Sequence, residues 1–521
     1  MKSSHGLLDI KSQHGLLAIH DPVSIAPSMC TNVFDAALGS MTSSHKKRKH
    51  MDLGRAADGT LKDSSDTMTW FAKELLTNLA DKDLQNIALG MEKVQKAGRC
   101  KQSVRFGSMC TGSGMGHESG QTFFGRARKL VSLPPITHPF ACESNGPIAK
   151  RLIRLGMADL VFKDICQMGQ DTALEWSSED FVQIPECDVL DLGFSCRDLS
   201  GMNTLVNEMT AYVIRTLTQF IKDPDAELPD LEGTTIPTLL GALRYVLARR
   251  PAIVCMENVS NVMVIIDLLK AFFGGINYSF MWTGELDPTL FRIPMKRPRV
   301  YMVAYRKNAF DSVGEEAQWA TFKDLVARLR RQYQQMPMQE ITAFLLPSGH
   351  QYFEDALASL PNPGAGGMWE EKHNSMYTSE GMQRPNDRQL QEFARAFPFP
   401  CFSDSFLARP QREKEVAYFY SVMALKGAFG SGEIAVDLSQ CISRQSPKLN
   451  MLGCFTRSSL SWLAVSRRFM TGRERLAIQG MSRPEHSADC NDTMLGQLAG
   501  NAYHGNAIMF SKRPFSQLLE C

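Results

Sequence analysis

Residues 188–200 read Asp-Val-Leu-Asp-Leu-Gly-Phe-Ser-Cys-Arg-Asp-Leu-Ser, an apolar run that passes into a glycine turn and then becomes polar. The run predicts a buried strand, and the turn presents the thiol of Cys196 at the end of that strand. Residues 252–259, Ala-Ile-Val-Cys-Met-Glu-Asn-Val, form a second such run, which ends in a carboxylate and an amide. Because open α/β sheets place their chemistry at the carboxyl ends of their strands, we expect Cys196 and Glu257 to face one cleft.

Each of these residues also has a commoner interpretation. Cysteine is usually buried as a small hydrophobic residue, and Glu257 with Asn258 could cap the end of a strand. Arg197 makes the setting of Cys196 only slightly electropositive. The chemical interpretation therefore depends on the motifs that surround these residues.

From residue 103 onwards, apolar strands alternate with helical segments, which is the pattern of a sheet covered on both faces. The expected helix between the last two parallel strands covers residues 235–249. The pattern predicts an α/β fold with a doubly wound, mostly parallel, Rossmann-like sheet. The predicted strands are 104–109, 138–142, 160–162, the runs that end at Leu192 and Met256, 284–286 and 300–305.

The remaining segments predict the domain organisation. Residues 1–65 are rich in Ser, His, Gly and Asp and predict a disordered leader. Residues 66–102 predict a helical N-terminal extension, and 103–307 the catalytic and cofactor-binding domain. Residues 308–463 break the strand–helix rhythm and predict a smaller inserted domain. Residues 464–521 predict a return to the first domain, with helices over 466–480 and from 501 to about 519.

Length and composition limit the class of protein. The chain has 521 residues, 44% hydrophobic and 21% charged, with a net charge of +2, which is ordinary for a globular protein and gives no global signal for nucleic acid. Its 13 cysteines include no Cys-x-x-Cys pair, which argues against a metal site and against a disulfide framework. We therefore expect a reducing, intracellular location.

Two features bear on location more closely. No apolar run reaches the ~18 to 20 residues that a membrane span requires, so we expect neither a membrane protein nor an exported one. Residues 45–50, His-Lys-Lys-Arg-Lys-His, form a basic cluster that is typical of a nuclear import signal, although a solvated run of charge is the alternative. The prediction is a nuclear protein.

A nucleotide-like ligand is indicated at the other end of the sheet edge. Gly112 and Gly114 follow the first predicted strand and let backbone N–H groups approach a ligand, while Glu143 ends the second strand and can accept both hydroxyls of a ribose. Asp164, after the third strand, is placed to accept a hydrogen bond from an adenine amino group, or could cap a turn. These residues fit NAD and S-adenosylmethionine equally, but no kinase-type phosphate loop follows the turn.

Taken in order, the motifs resemble those of the cytosine-5 DNA methyltransferase family over roughly residues 103–516. The agreement in order, with a variable insert before the last two motifs, makes chance agreement improbable. Glu257-Asn258-Val259 matches one family motif letter for letter. The other segments that resemble family motifs are 110–114, 143, 164–165, 193–196, 295–299, 471–480 and 500–502.

The resemblance implies S-adenosylmethionine as cofactor and DNA as partner, with the insert as a target-recognition domain. The cofactor-binding residues that it implies are Cys110, Thr111, Gly112, Gly114, Glu143, Ser144, Asp164, Ile165, Asn501 and Ala502. The residues of the insert that could contact phosphates are Arg328, Arg330, Arg331, Arg384, Arg388, Arg444 and Lys448.

The resemblance also implies four catalytic residues. Cys196 would add to carbon 6 of a flipped cytosine, with its thiolate favoured by a helix N-terminus and by Arg197 or Arg297. Glu257 would bind ring nitrogen 3, and Arg299 the ring carbonyl. Arg297 would bind a flanking phosphate or the Cys196 loop.

Three positions depart from the family pattern: Ser195 replaces a proline, Arg197 a glutamine and Met295 a glutamine. Proline pre-sets the backbone, so Ser195 bears on how firmly the thiol is aimed. Two alternatives therefore stay open beside a DNA methyltransferase: an enzyme that modifies tRNA, and a catalytically silent member that binds nucleic acid or a partner. Oligomeric state, target sequence and the choice between maintenance and de novo action also stay open.

Overall fold

The computed structural model describes residues 81–98, 102–201, 205–225, 233–307, 337–347, 352–358, 369–398, 400–440, 447–481 and 490–502. It also describes isolated positions at 72, 76, 203, 320, 323–324, 327, 330–331, 334–335, 442, 445 and 504–505. The predicted leader and its basic cluster lie outside these residues, as do Arg328, Arg444 and most of the predicted last helix. Among the described residues, we find no helix with the length and apolar character that a bilayer crossing needs.

A seven-stranded sheet lies at the centre of the fold. Its strands run in the order β3-β2-β1-β6-β7-β9-β8. All neighbouring strands pair in parallel except β9, which is antiparallel to both β7 and β8. In chain order the strands, including the two of a small hairpin, are β1 Val104–Met109, β2 Ile136–Cys142, β3 Leu160–Phe162, β4 Thr172–Leu174, β5 Phe181–Gln183, β6 Val189–Leu192, β7 Ile253–Val259, β8 Tyr278–Leu286 and β9 Arg299–Arg306.

Helices cover both faces of the sheet. One apolar cluster packs α4, α5 and α6 on one face, and a second packs α1, α2 and α3 on the other, together with parts of the insert and of the C-terminal segment. The helices up to residue 275 are α1 Asp81–Ala97, α2 Met115–Ala127, α3 Gly146–Arg154, α4 Val206–Lys222, α5 Thr235–Arg249 and α6 Ile266–Gly275.

Helix α5 shows why the predicted pattern forms a layer on the sheet. Ile236, Leu239, Leu240 and Leu243 are buried at spacings of three and four, so one stripe of the helix faces the strands. The strands β6 and β7 are mostly apolar and are buried on both faces, as is typical of parallel sheets. The doubly wound, mostly parallel sheet that the sequence predicts is therefore confirmed, and so are the bounds of β1, β3 and α5.

The region after the sheet contains helices and a small second sheet. Strands β10 Ala435–Asp437, β11 Ser461–Leu463 and β12 Arg468–Phe469 pair antiparallel, so the pairing crosses the predicted boundary at residue 463. The helices are α7 Tyr352–Ala358, α8 Glu370–Ser379, α9 Asp387–Arg395, α10 Pro400–Leu407, α11 Gln411–Leu425, α12 Gly472–Ile478 and α13 Asp492–Asn501.

One predicted helix near the end of the chain is wrong in extent. Residues 466–480 do not form one helix, because β12 occupies 468–469 and α12 begins at Gly472, where the side chains of Thr471 and Glu474 form a capping box. The helix expected from Asn501 to about residue 519 lies almost entirely outside the described residues. The described helix before it, α13, begins after Asn491, whose side chain caps it, and ends at Asn501.

Candidate active site

The predicted nucleophile lies at the carboxyl edge of the sheet. Strand β6 ends at Leu192, which pairs in parallel with Met256 of β7. Cys196 follows four residues beyond this pair and Glu257 one residue beyond it, so both leave the same edge, as predicted. Cys196 is half-buried and Glu257 is 9% exposed.

Hydrogen bonds to the start of α5 hold the residue before Cys196. The backbone N–H of Ser195 donates to Thr238 Oγ1 at 3.0 Å. The hydroxyl oxygens of Ser195 and Thr234 lie 2.7 Å apart and share a hydrogen bond. A proline at position 195 has no N–H and could not make the bond to Thr238. The structure thus shows a backbone restraint at the position where the family proline is missing.

The rest of the loop is anchored from two sides. Asp198 Oδ2 accepts the backbone N–H groups of Thr234 and Thr235, each at 2.7 Å, and so caps α5. On the other side, Asn258 Nδ2 donates to the carbonyl of Phe194 at 2.9 Å, and Asn261 Nδ2 to that of Leu199 at 2.8 Å. Asn258 therefore supports the loop and the backbone, as the sequence predicts.

Glu257 and Arg299 form an ion pair beside the thiol. Arg299 Nε lies 3.0 Å from Glu257 Oε1, because antiparallel β9 runs next to β7. Burial raises the pKa of the Glu257 carboxyl above its usual value, and the charges of Arg299 and Arg297 only partly offset this. A carboxyl with a raised pKa keeps its proton to higher pH and can then donate a hydrogen bond.

The electrostatic setting of Cys196 differs from the prediction. Burial raises the pKa of the Cys196 thiol, and the charge of Glu257 raises it further. The charges of Arg299 and Arg297 lower this pKa, but they offset the increase only in part. Arg197, which the sequence suggested as a neighbouring charge, has an exposed side chain. The cations that act on Cys196 come from the start of β9 and the segment just before it. Because their effect is smaller than that of burial, the Cys196 thiol is harder to ionise than a free one.

Arg297 joins distant segments of the chain, and its described hydrogen-bond partners are other than those predicted. Its guanidinium is 4% exposed and donates to the carbonyls of Phe455 at 3.1 Å, Gly500 at 3.1 Å and Ala502 at 2.8 Å. The buried guanidinium is therefore committed to backbone carbonyls and does not reach out to a phosphate. Arg297 is a positioning residue that ties the segment before β9 to two later parts of the chain.

A second cysteine, which the sequence did not single out, completes this cluster. Cys454 Sγ lies 3.3 Å from Arg297 Nη1 and 3.7 Å from Arg299 Nη2. The residue is exposed. A parallel bridge between Met295 and Leu452 brings the two segments together. No short motif marks Cys454, because its neighbours come from elsewhere in the chain.

The glycine turn after β1 is bound to Glu143. The backbone N–H of Gly112 donates to Glu143 Oε2 at 2.9 Å, and that of Asn145 to Oε1 at 2.8 Å. The N–H of Thr111 donates to the carbonyl of Cys142 at 3.2 Å. Cys110 takes a φ of 51° and Gly112 one of 54°, so the chain turns sharply here. Each carboxylate oxygen has two lone pairs, so Glu143 can still accept hydroxyl groups.

The segment 500–502 lies against this turn. A Cβ on Gly112 would lie 3.5 Å from the carbonyl oxygen of Asn501, and one on Gly500 would overlap the backbone of Thr456 and Arg457. Ala502 is buried, and its carbonyl serves Arg297, as described above. The structure therefore brings Gly112, Glu143 and Asn501 together, and this arrangement fits a ribose-bearing cofactor.

The other predicted cofactor residues are spread around this group. Gly114 takes a φ of 82° and begins α2, and Ser144 is exposed beside Glu143. Asp164 Oδ1 accepts the N–H of Cys166 at 2.9 Å and caps the short turn that Ile165 begins. Capping, the alternative weighed for Asp164, is thus present. Ile165 is 7% exposed and packs in the apolar cluster with α5.

Trp176 is a neighbour of Glu143 that the sequence did not identify. Its indole Nε1 donates to the Glu143 carbonyl at 2.9 Å. Its ring also lies close enough to Gly146 that an added Cβ there would be 3.1 Å away. Trp176 follows β4, which no motif connects with β2, so only the fold reveals this contact.

Two predicted phosphate contacts in the insert belong to its own structure. Arg384 makes two hydrogen bonds to the buried carboxylate of Glu415, at 3.0 and 2.8 Å, and Arg388 pairs with Glu392 at 2.9 Å. Arg330 Nη2 donates to the carbonyl of Glu285 at 3.0 Å. For Arg384 the prediction is wrong, because its charge stabilises the packing of α8 against α11. Arg331 and Lys448 are exposed.

The order of the strands, with antiparallel β9 between β7 and the edge strand β8, defines a Rossmann-like methyltransferase fold. A thiol and a carboxyl share one part of its edge, and a glycine turn with an acidic partner occupies another. No protein-family model matches the chain.

The chain is similar to one curated protein and to several solved structures. The chain is 28% identical over 428 residues to DNA (cytosine-5-)-methyltransferase DMT5 of Cryptococcus neoformans var. grubii serotype A, a match that covers 77% of this chain and 16% of the relative. Among solved structures, the S. pombe Dnmt2 methyltransferase has a TM-score of 0.40 at 12% identity, covering 80% of this chain and 98% of that one. A putative DNA modification methyltransferase from an E. coli prophage has a TM-score of 0.39 at 12% identity, covering 80% and 100%.

The curated relative confirms the predicted resemblance to the cytosine-5 DNA methyltransferases, whose methyl donor is S-adenosylmethionine. The matched part of the chain spans about a sixth (16%) of the length of that relative.

Proposed function

We propose that this chain transfers a methyl group from S-adenosylmethionine to carbon 5 of cytosine in DNA, through a covalent adduct of Cys196 with a flipped base. The observation that carries the proposal is the common position of Cys196, Glu257 and Arg299 at the carboxyl edge of β6 and β7. A thiol beside a carboxyl group whose pKa is raised by burial suits an attack on a ring whose nitrogen must gain a hydrogen bond.

Each of the three side chains has one role in this proposal. The Cys196 sulfur bonds to carbon 6 and makes carbon 5 nucleophilic. Glu257 donates a hydrogen bond to ring nitrogen 3, which stabilises the charge that develops as the sulfur adds. Arg299 donates to the ring carbonyl and keeps Glu257 in place through their ion pair. Positioned acid–base groups of this kind contribute ~10²- to 10⁴-fold in rate.

The residues that would hold the cofactor are Gly112, Glu143 and Asn501, which lie together at the other part of the edge. When bound there, S-adenosylmethionine supplies an electrophilic methyl group. Glu143 would accept hydrogen bonds from the ribose hydroxyls of the cofactor. Among the described contacts, each carboxylate oxygen of Glu143 accepts one backbone N–H and so has a lone pair left.

DNA is the proposed substrate because the curated relative is named a DNA methyltransferase. The target base must leave the stack to reach Cys196, at a cost of a few kcal/mol. The insert is the proposed target-recognition domain, with exposed Arg331 and Lys448 as candidate phosphate contacts.

Methyl transfer from labelled cofactor to unmethylated DNA, hemimethylated DNA and tRNA, measured in parallel, tests the proposal. We expect label in DNA, whereas label in tRNA alone would refute the DNA assignment. Oligonucleotides with 5-fluorocytosine should trap the protein covalently when cofactor is present. Cys196→Ser should abolish trapping and Cys401→Ser, in α10, should not. The absence of trapping on both DNA and RNA would indicate a silent member.

We also propose a nuclear location, which the basic cluster at residues 45–50 supports. A fluorescent fusion should accumulate in the nucleus, and replacement of residues 46–49 by Gln should abolish that accumulation. Unchanged accumulation would refute the role of the cluster.

A further inference from the structure

Cys454 is held at the candidate active site by backbone contacts with the arginine segment. The N–H of Leu452 donates to the carbonyl of Pro294 at 2.8 Å, and the N–H of Lys296 donates back to the carbonyl of Leu452 at 2.8 Å. Two residues further on, the Cys454 sulfur meets the guanidinium groups of Arg297 and Arg299. The thiol is therefore placed by the fold of the site rather than by a surface loop of its own.

Charge balance indicates an anion at this sulfur. Within the described part of the chain, the hydrogen-bond acceptors of the Arg297 guanidinium are the carbonyls of Phe455, Gly500 and Ala502, which are uncharged, and Cys454 Sγ. Buried charges are normally paired with an opposite charge. Glu257 pairs with Arg299 and also interacts with the charge of Arg297. These two guanidinium groups thus share one carboxylate, and a Cys454 thiolate would balance the second positive charge.

The pKa of the Cys454 thiol also favours a negative charge on this sulfur. Part of Cys454 is exposed, but nearby protein atoms shield its sulfur from solvent, which opposes ionisation. The charges and hydrogen bonds of Arg297 and Arg299 outweigh this effect, so the pKa of the Cys454 thiol lies below its usual value. Cys196 has the opposite shift, because burial raises its pKa. Two thiols of the same site thus differ in the ease with which each carries a negative charge.

Cys454 also lies beside the groups assigned to the base. The Arg299 guanidinium contacts Glu257 through Nε and Cys454 through Nη2, so a ring held by Glu257 and Arg299 lies next to Cys454. A methylated adduct must lose the proton on carbon 5 before Cys196 can leave, and an exposed thiolate at this place can accept it.

We propose that Cys454 is the catalytic base that removes the carbon 5 proton, a role that rests on the proposed function. Its thiolate takes the proton, and the electron pair of the broken C–H bond forms the double bond between carbons 5 and 6. The bond between carbon 6 and sulfur breaks, and its electron pair leaves with Cys196 as a thiolate. The proton on Cys454 then passes to water, which restores the starting state.

Removal of the base should stall the reaction at the methylated adduct. With DNA that contains ordinary cytosine, Cys454→Ala should accumulate a covalent protein–DNA complex that carries the labelled methyl group, whereas the wild type should not. Turnover should fall ~10²- to 10⁴-fold. The complex should be absent in the double variant Cys196→Ser/Cys454→Ala. Cys454→Ala that turns over at the wild-type rate, or that loses turnover without forming the complex, would overturn the proposal.

Trapping by 5-fluorocytosine separates this role from folding and from the proposed function. The fluorine blocks elimination whether or not a base is present, so Cys454→Ala should be trapped to the wild-type extent; loss of trapping would mean that Cys454 only positions the site, and the proposal would fall. If the wild type itself is not trapped, the proposed function fails and this role fails with it.

Thiol alkylation of the wild type provides a measurement that needs no variant to fold. Arg297, Arg299, Glu257 and Cys196 are the charged or titratable groups around Cys454. Iodoacetamide at neutral pH should modify Cys454 at least several-fold faster than Cys196, as followed by peptide mass spectrometry. Equal or slower modification of Cys454 would overturn its assignment as a thiolate.

Discussion

Replacement of Thr238 by valine should change the position of the Cys196 thiol, the proposed nucleophile, and leave the core intact. Valine matches threonine in shape, but it removes the oxygen that accepts the Ser195 N–H at 3.0 Å. A buried or half-buried donor without a partner costs about 1–3 kcal/mol. At 1.36 kcal/mol for each factor of ten, the population of correctly held loop should fall roughly 5- to 150-fold.

The assay is the single-turnover rate of trapping by 5-fluorocytosine DNA. Thr238→Ser keeps the hydroxyl and is the matched control, so its rate should stay near that of the wild type. Ser195→Pro added to Thr238→Val should recover part of the loss, because proline has no N–H to leave unpaired and restricts φ by itself. Thr238→Val within twofold of Thr238→Ser would refute the reasoning that this hydrogen bond aims the thiol.

Three further predictions concern groups around the site. Arg297→Met should lower the urea midpoint strongly, since each carbonyl left without a donor costs about 1–3 kcal/mol, whereas Arg331→Met should change it little. Gly500→Ala forces a Cβ onto the Thr456 backbone, so calorimetry should show weaker cofactor binding and a loss of stability of about 1–3 kcal/mol; unchanged affinity would contradict this. Burial lowers the pKa of His504 from 6.5 to about 3. Below pH 6.5 the unfolded chain therefore binds a proton at His504 and the folded chain does not, so the free energy of unfolding falls as the pH drops below 6.5. His504→Gln, compared by urea unfolding at pH 7 and pH 5, should reduce this loss by up to ~2 kcal/mol, and an unchanged loss would argue against it.

The parts that the sequence predicts well are those that short-range patterns determine. Cys196 and Glu257 each follow an apolar strand, and strand ends in a parallel sheet share an edge, so their common position follows from local pattern and topology. Helix α4 was missed although its signal is present, because Val213, Thr216, Leu217 and Phe220 are buried at helical spacing. The capping box that begins at Thr471 was equally visible and would have corrected the start of α12.

The parts that could not be predicted depend on contacts between distant segments. Arg297 and Cys454 are 157 positions apart in the chain, and no pattern near either residue indicates that they meet. The acceptors of Arg297 are backbone carbonyls, which leave no trace in the identity of a side chain. The pairing of Arg384 could not be predicted for a different reason. The sequence around a basic residue does not distinguish an arginine that faces solvent from one that pairs with a buried carboxylate such as Glu415.

The guanidinium of Arg297 has a consequence for how the protein is made. It needs carbonyl groups from residues 455, 500 and 502, so during synthesis the ribosome must release residue 502 before this buried cation has its full set of acceptors. A nascent chain that stalls earlier would contain Cys196 and Glu257 but would lack the carbonyl groups of residues 500 and 502 that accept hydrogen bonds from Arg297. The segment before β9 therefore has all of its described anchors only after residue 502 has left the ribosome, and we expect the proposed activity to require that segment.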